Sequence, residues 1–140
     1  MKIKIKKLQP DAILPKYALA GDAGMDLFSV ENATINPDEY AVINTGIAME
    51  IPAGFVGLIW DKSGMANKGL KTVGGVVDSG YRGEIKIQVR NLSNQPIKIE
   101  KGNKVAQMLI QKVESAELIE VAELSETVRG DSRFGSTGAK

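Results

Sequence analysis

Apolar and polar residues alternate with period two from Glu84 to Asn91, where Ile85, Ile87 and Val89 share one face. That spacing predicts a strand with one side buried. Similar short runs predict strands at 2–7, 25–30, 40–44, 47–51, 55–60, 84–91, 96–99, 104–113 and 117–122. Turn-forming residues separate them, at Asn36-Pro37-Asp38, Pro52-Ala53-Gly54, Ser93-Asn94-Gln95-Pro96 and Lys101-Gly102-Asn103. Short strands spaced by about 8–12 residues predict an all-β sandwich, barrel or jelly roll. No long stretch keeps a helical period, so helix is expected only for a turn or two from Ser63 to Lys68, with a serine at its start. There is no internal repeat and no linker. Residues 1–128 are expected to form one β domain, and the glycine- and serine-rich residues 129–140 a mobile tail.

The densest cluster of signals is Gly74-Gly75-Val76-Val77-Asp78-Ser79-Gly80-Tyr81-Arg82-Gly83. Val76-Val77 and the strand from Glu84 read as two arms of a hairpin, with Asp78-Ser79-Gly80 at the bend. Such a tip would hold a carboxylate and a phenol side by side. An ordinary surface turn would have the same composition.

Composition narrows the chemistry mainly by what it lacks. The 140 residues include no cysteine and no histidine. Disulfides, thiolate nucleophiles, imidazole bases and His- or Cys-ligated metals are therefore excluded. An enzyme built from this chain would use a carboxylate as base and a hard metal held through oxygens. Hydrophobic content of 43%, charged content of 25% and a net charge of +1 are ordinary for a globular protein and point to neither nucleic acid nor membrane. The basic start, Met1 to Lys7, lacks the apolar stretch of a signal peptide, and a cytoplasmic location is expected.

Four further segments carry candidate chemistry. In Ala20-Gly21-Asp22-Ala23-Gly24-Met25-Asp26, small residues lead into a strand opened by Asp26, which suits either a metal or phosphate neighbourhood or a loop aspartate bonded to its own backbone. In Asp61-Lys62-Ser63-Gly64-Met65, a strand runs into a short helix, so Lys62, Ser63 and Gly64 suit a phosphate, or simply a capped turn. Gln107 is a polar amide within the apolar run Val105 to Ile110, hence a core network residue or a ligand contact. The tail Arg129-Gly130-Asp131-Ser132-Arg133-Phe134-Gly135-Ser136-Thr137-Gly138 is not a P-loop, because Ser136 stands where that motif needs lysine. It suits a disordered end, or a flap in which Phe134 stacks on a base and Arg129 with the Ser136-Thr137 backbone meets phosphates.

In order, AGDAGMDLFS, DKSGMANKG, GGVVDSGYRGEI, KGNKVAQMLI and RGDSRFGSTG resemble the five motifs of the trimeric dUTPases, across about residues 20–138. The resemblance implies a distorted β jelly roll and a homotrimer, the tail of one subunit closing over a pocket built by the others. It implies hydrolysis of dUTP to dUMP and pyrophosphate with Mg2+, which keeps uracil out of DNA and supplies dUMP for thymidylate synthesis. Asp78 matches the aspartate that activates water, and Tyr81 the tyrosine against the deoxyribose. The backbone of Gly75, Val76 and Val77 matches the uracil-reading edge. Ser63, Gly64 and Lys62 match the phosphate-binding turn, with the Ser63 hydroxyl polarising the bond that breaks. Gln107 and Asp26 match contacts to phosphates or to the waters of magnesium. Arg129, Phe134, Gly135, Ser136 and Thr137 match the closing tail.

Three positions depart from the family pattern: Lys62 replaces the usual arginine, Gly80 a frequent second acid, and Arg133 a tail glycine. Lysine lacks the bidentate fork of arginine, so its hold on phosphate differs. Two other readings remain. A dCTP deaminase of the same fold would need a glutamate where Gln88 stands, and an amide cannot be that base. A non-catalytic nucleotide-binding trimer would be motivated by Lys62 alone.

Overall fold

In a computed structural model of the chain, residues 1–128 and Gly130 are described. Ten strands and one helical turn follow in order: β1 (Lys4–Lys7), β2 (Gly24–Phe28), β3 (Ala33–Ile35), β4 (Tyr40–Glu50), β5 (Phe55–Asp61), α1 (Ser63–Ala66), β6 (Leu70–Thr72), β7 (Val76–Val77), β8 (Glu84–Asn91), β9 (Ile97–Ile99) and β10 (Lys104–Lys112). Two four-stranded sheets, ordered β1-β4-β8-β6 and β2-β10-β5-β7, enclose the core, and β3-β9 forms a third, smaller sheet. All the described pairings are antiparallel. The all-β expectation holds.

The period-two pattern works as anticipated in β8. Ile85, Ile87, Val89 and Asn91 are buried, whereas Lys86 and Gln88 face outward. Leu27, Ile35, Ile43, Ile47, Ile51, Ile99, Val105 and Met108 complete the buried centre. Each such side chain is worth about 1.5–3 kcal/mol when removed from water. Asn91 lies within this core with every polar atom engaged. Its Nδ2 donates to the carbonyls of Ile35 (2.9 Å) and Gln95 (2.7 Å), and its Oδ1 accepts from the Ser93 N–H (2.8 Å) and hydroxyl (2.7 Å).

Three expectations change. The runs 40–44 and 47–51 are one strand, β4, with an irregularity against β8 between Asn44 and Ala48. Gly46 sits there at φ 67° and donates its N–H to Glu84 Oε1 at 2.8 Å. Residues 117–122 form no strand, since no neighbour among the described residues offers a ladder, and Leu118 and Ile119 are exposed. The hairpin is also re-paired. β7 bonds to β5, with Gly57 opposite Val77 and Leu58 opposite Val76, while β8 lies between β4 and β6. Gly74 (φ 76°) and Gly75 (φ 117°) carry the chain out of one sheet and into the other, a path open to glycine. Residues 73–83 are thus a crossing loop between sheets.

Candidate active site

The crossing loop builds a cleft of about 270 Å³. Val73 to Val77 line it, and there Gly75 lies so close to β5 that an added Cβ would sit 2.7 Å from the Ile59 carbonyl oxygen. The Ile59 N–H donates to the Gly75 carbonyl at 2.8 Å, which prolongs the β5–β7 ladder by one step. β7 is the edge strand of its sheet, so among the described residues no ladder pairs its other main-chain side, beside the cleft. Asp78 stands on the rim, exposed. A tight turn follows, with the Tyr81 N–H donating to the Asp78 carbonyl at 3.1 Å. The Tyr81 ring folds back over Gly83, where a Cβ would meet the phenol oxygen at 2.4 Å, and its hydroxyl donates to the Glu84 carbonyl at 3.0 Å. Tyr81 thus presents a fixed ring face to the cleft. The outward positions of β8 add Glu84, Lys86 and Gln88 to the lining.

A second cluster gathers where β2, β5 and β10 meet. Gln107 on β10 stands opposite Asp26 on β2 and Trp60 on β5, so one amide lies between two neighbouring strands. Its Nε2 donates to the Asp61 carbonyl at 2.9 Å. Its Oε1 lies over Gly24, where a Cβ would meet it at 2.3 Å, so a side chain there would displace the amide. Trp60 is about half exposed at the end of β5.

Asp26 is buried, and two ammonium groups hold it: Lys62 Nζ is 2.6 Å from Oδ1 and Lys104 Nζ 2.8 Å from Oδ2. Burial pushes its carboxyl up, but the bonds from Lys104 and Lys62 outweigh this and keep it below the ordinary aspartate range. Two cations against one anion leave an excess of positive charge beside Ser63 and Gly64. The first bonded N–H groups of α1 are those of Met65 and Ala66, both to the Lys62 carbonyl, so Ser63 and Gly64 precede them. Lys62 makes no side-chain cap, and the start of α1 stands open to an anion.

The predicted residues therefore fall into two groups. Gly75, Val76, Val77, Asp78 and Tyr81 share the cleft, and Asp26, Lys62 and Gln107 share the cationic cluster, with Ser63 and Gly64 directly after Lys62. The cluster residues do not line the Asp78 cleft within one chain. Arg129, Phe134, Gly135, Ser136 and Thr137 lie outside the described residues. Sequence reasoning missed Lys104, Thr72 and Lys86. Lys104 opens β10 and carries no signal beyond a charge at a strand end, and Thr72 and Lys86 reach the cleft only through sheet pairing.

Among the described residues, no group of three or more acidic side chains converges to cage a metal. Gln107 offers a neutral oxygen and the Asp26 oxygens already face lysines, so these donors suit a hard cation that arrives on its anionic ligand and is touched through water. Among the described residues, no helix is long and apolar enough to cross a membrane.

A main-chain edge beside a cleft, followed by an exposed carboxylate and separated from an ammonium-rich turn, suits a ligand with a planar polar base at one end and phosphates at the other. The chain is thus one of the all-β nucleotide-handling proteins. It belongs to the dUTPase family, whose model matches residues 10–138. It is 49% identical over 140 residues to the deoxyuridine 5'-triphosphate nucleotidohydrolase of Corynebacterium diphtheriae, covering 97% of this chain and 92% of that one. It is 46% identical to the enzyme of the same name from Hydrogenobaculum sp., with both chains covered completely. Its fold matches the dUTPase of Staphylococcus bacteriophage 80alpha in a structure with dUpNHpp, at TM-score 0.90 and 33% identity over 98% of each chain.

Proposed function

We propose that this protein hydrolyses dUTP to dUMP and pyrophosphate, with Asp78 as the base. The observation that carries the reading is the exposed Asp78 carboxylate in a cleft that Gly75, Val76 and Val77 also line. The N–H and C=O groups of that edge pair with uracil. A cytosine would leave buried groups unmatched, the kind of mismatch that costs about 10⁴-fold in selectivity. The Tyr81 ring packs on the deoxyribose and leaves no room for a 2′-hydroxyl.

Asp78 takes a proton from a water aligned on the α-phosphorus. The oxygen attacks, the bond to the bridging oxygen breaks, and pyrophosphate leaves. Ser63, Gly64 and Lys62 receive the phosphate oxygens, and the Ser63 hydroxyl polarises the bond being broken. Gln107 and Asp26 contact phosphates or metal-bound water, and Asp26 also aims Lys62. Bound magnesium would neutralise phosphate charge during transfer. The tail residues Arg129, Phe134, Gly135, Ser136 and Thr137 close over the nucleotide.

The homotrimer with exchanged tails that the family resemblance implies would bring together the cleft and the cationic turn, which do not share a lining within one chain. Residues 1–128 would then be the β domain and 129–140 the tail. A cytoplasmic enzyme of nucleotide metabolism fits this reading. The dCTP deaminase alternative is not favoured: Gln88 lines the cleft where that chemistry needs a carboxylate.

Pyrophosphate release measured across dUTP, dCTP, dTTP and UTP tests the reading, and dUTP is expected to be strongly preferred. Asp78→Asn should lower turnover by about 10²–10⁴-fold while substrate still binds. Near-normal turnover in that variant would remove Asp78 from the role.

A further inference from the structure

Asp61 has no part in the chemistry above, yet it touches both the cleft-lining end of β6 and the cationic turn of its own chain. It closes β5 immediately before Lys62 and Ser63. Its Oδ1 accepts from the Thr72 N–H at 2.8 Å and from the Thr72 hydroxyl at 2.6 Å. Its Oδ2 accepts from Lys71 Nζ at 2.6 Å, and its carbonyl accepts from the Gln107 amide at 2.9 Å. β5 and β6 lie in different sheets, so this carboxylate is a bridge between layers that no ladder supplies.

Thr72 ends β6 and itself lines the cleft, and the Gly74–Gly75 crossing begins two residues later. The direction in which that loop leaves β6 is therefore set at Thr72, where two of the three donors to the carboxylate reside. On the other side, the Asp61 main chain leads directly into Lys62 and α1, and its carbonyl holds the Gln107 amide. The carboxyl is held below the ordinary aspartate range: burial pushes it up, but Lys71 and Thr72 outweigh that. It thus stays an acceptor for all three donors at neutral pH.

We infer that Asp61 is a positioning residue that couples the base-reading loop to the phosphate-binding turn of the same chain. The inference rests on the dUTP reading of the cleft. A brace serving stability alone would shift the melting temperature and leave substrate choice untouched. A positioning residue moves the main-chain edge that discriminates uracil from cytosine, and displacements of about 1 Å cost on the order of 10²-fold in rate.

Three variants of the full chain separate these outcomes: Asp61→Ala, which removes every side-chain acceptor; Asp61→Asn, which keeps one oxygen for Thr72 but turns a donor toward Lys71; and Thr72→Val. The readouts are kcat/KM for dUTP and for dCTP, together with Tm. Asp61→Ala is expected to lower kcat/KM for dUTP by about 10²-fold and to narrow the dUTP-to-dCTP ratio by about tenfold. Asp61→Asn should recover most of that ratio, and Thr72→Val should narrow it by at least about threefold. A wild-type ratio in Asp61→Ala, whatever its Tm, overturns the inference. Should Asp61→Ala not fold, wild-type ratios in both other variants overturn it. If the unmodified protein releases no pyrophosphate from dUTP, the parent reading fails and takes this one with it.

Discussion

Replacing Gly75 by alanine tests the crossing loop most directly. At φ 117° a side chain is strained, and the new methyl group would lie 2.7 Å from the Ile59 carbonyl oxygen and 3.1 Å from the Ile59 Cβ. Strained backbone of this kind costs about 1–3 kcal/mol in a residue with a Cβ. Relieving the contact requires β7 to lift away from β5, which puts the Ile59–Gly75 hydrogen bond at risk, about 1 kcal/mol more. The sum, about 2–4 kcal/mol, corresponds to a fall in Tm of about 5–15 °C for a domain of this size. Because the displaced segment is the proposed uracil edge, kcat/KM for dUTP should drop by at least about tenfold. Gly54→Ala is the control. Gly54 also has positive φ (79°), but its Cβ would meet nothing within 4 Å, so only backbone strain of about 1 kcal/mol remains. Thermal melts and steady-state pyrophosphate release on both variants decide the matter. Equal Tm shifts, or full turnover in Gly75→Ala, would refute the close-approach argument.

Other outcomes follow from the same geometry. Asp26→Asn leaves Lys62 and Lys104 without their anion and should destabilise the fold by about 2–4 kcal/mol, read as a lower denaturant midpoint. Asp26 and Asp61 both have carboxyls held below the ordinary 3.8. Their contribution to stability is complete above that value and is lost as pH falls through the lower folded values, so the urea midpoint should decline between about pH 5 and pH 2, less steeply in Asp26→Asn. Deleting residues 129–140 should cripple dUTP turnover yet leave Tm within a few degrees, because a polar segment buries little apolar area. A large loss of Tm would assign those residues to the fold instead.

Patterns confined to single strands were readable in advance. The alternation in β8 and the apolar centre of β10 gave their spans within a residue, because burial of one face leaves its period in the chain. What escaped depends on partners far apart in sequence. Val76-Val77 carries nothing that tells β8 from β5 as its neighbour, and the choice lies in two glycine dihedrals just upstream. Asn44-Thr45-Gly46 looks like a turn but is an irregularity inside β4, with the Thr45 hydroxyl bonded to the Ile85 carbonyl. At the site, Asp78, Tyr81, Ser63 and Gln107 stood out because acids, phenols, hydroxyls and amides are conspicuous among glycines and aliphatics. Lys104 and Asp61 did not, since a charged residue at the end of a strand is ordinary until its partner is known.

Trp60 is the chain's only tryptophan, and it stands across the ladder from Gln107, one step before the aspartate that ends β5. Half open to solvent, its indole emission responds to changes in that neighbourhood and to no second fluorophore of its kind. Stopped-flow traces of an unlabelled sample are therefore expected to follow nucleotide arrival and product departure optically, with a built-in probe beside the proposed phosphate-binding turn.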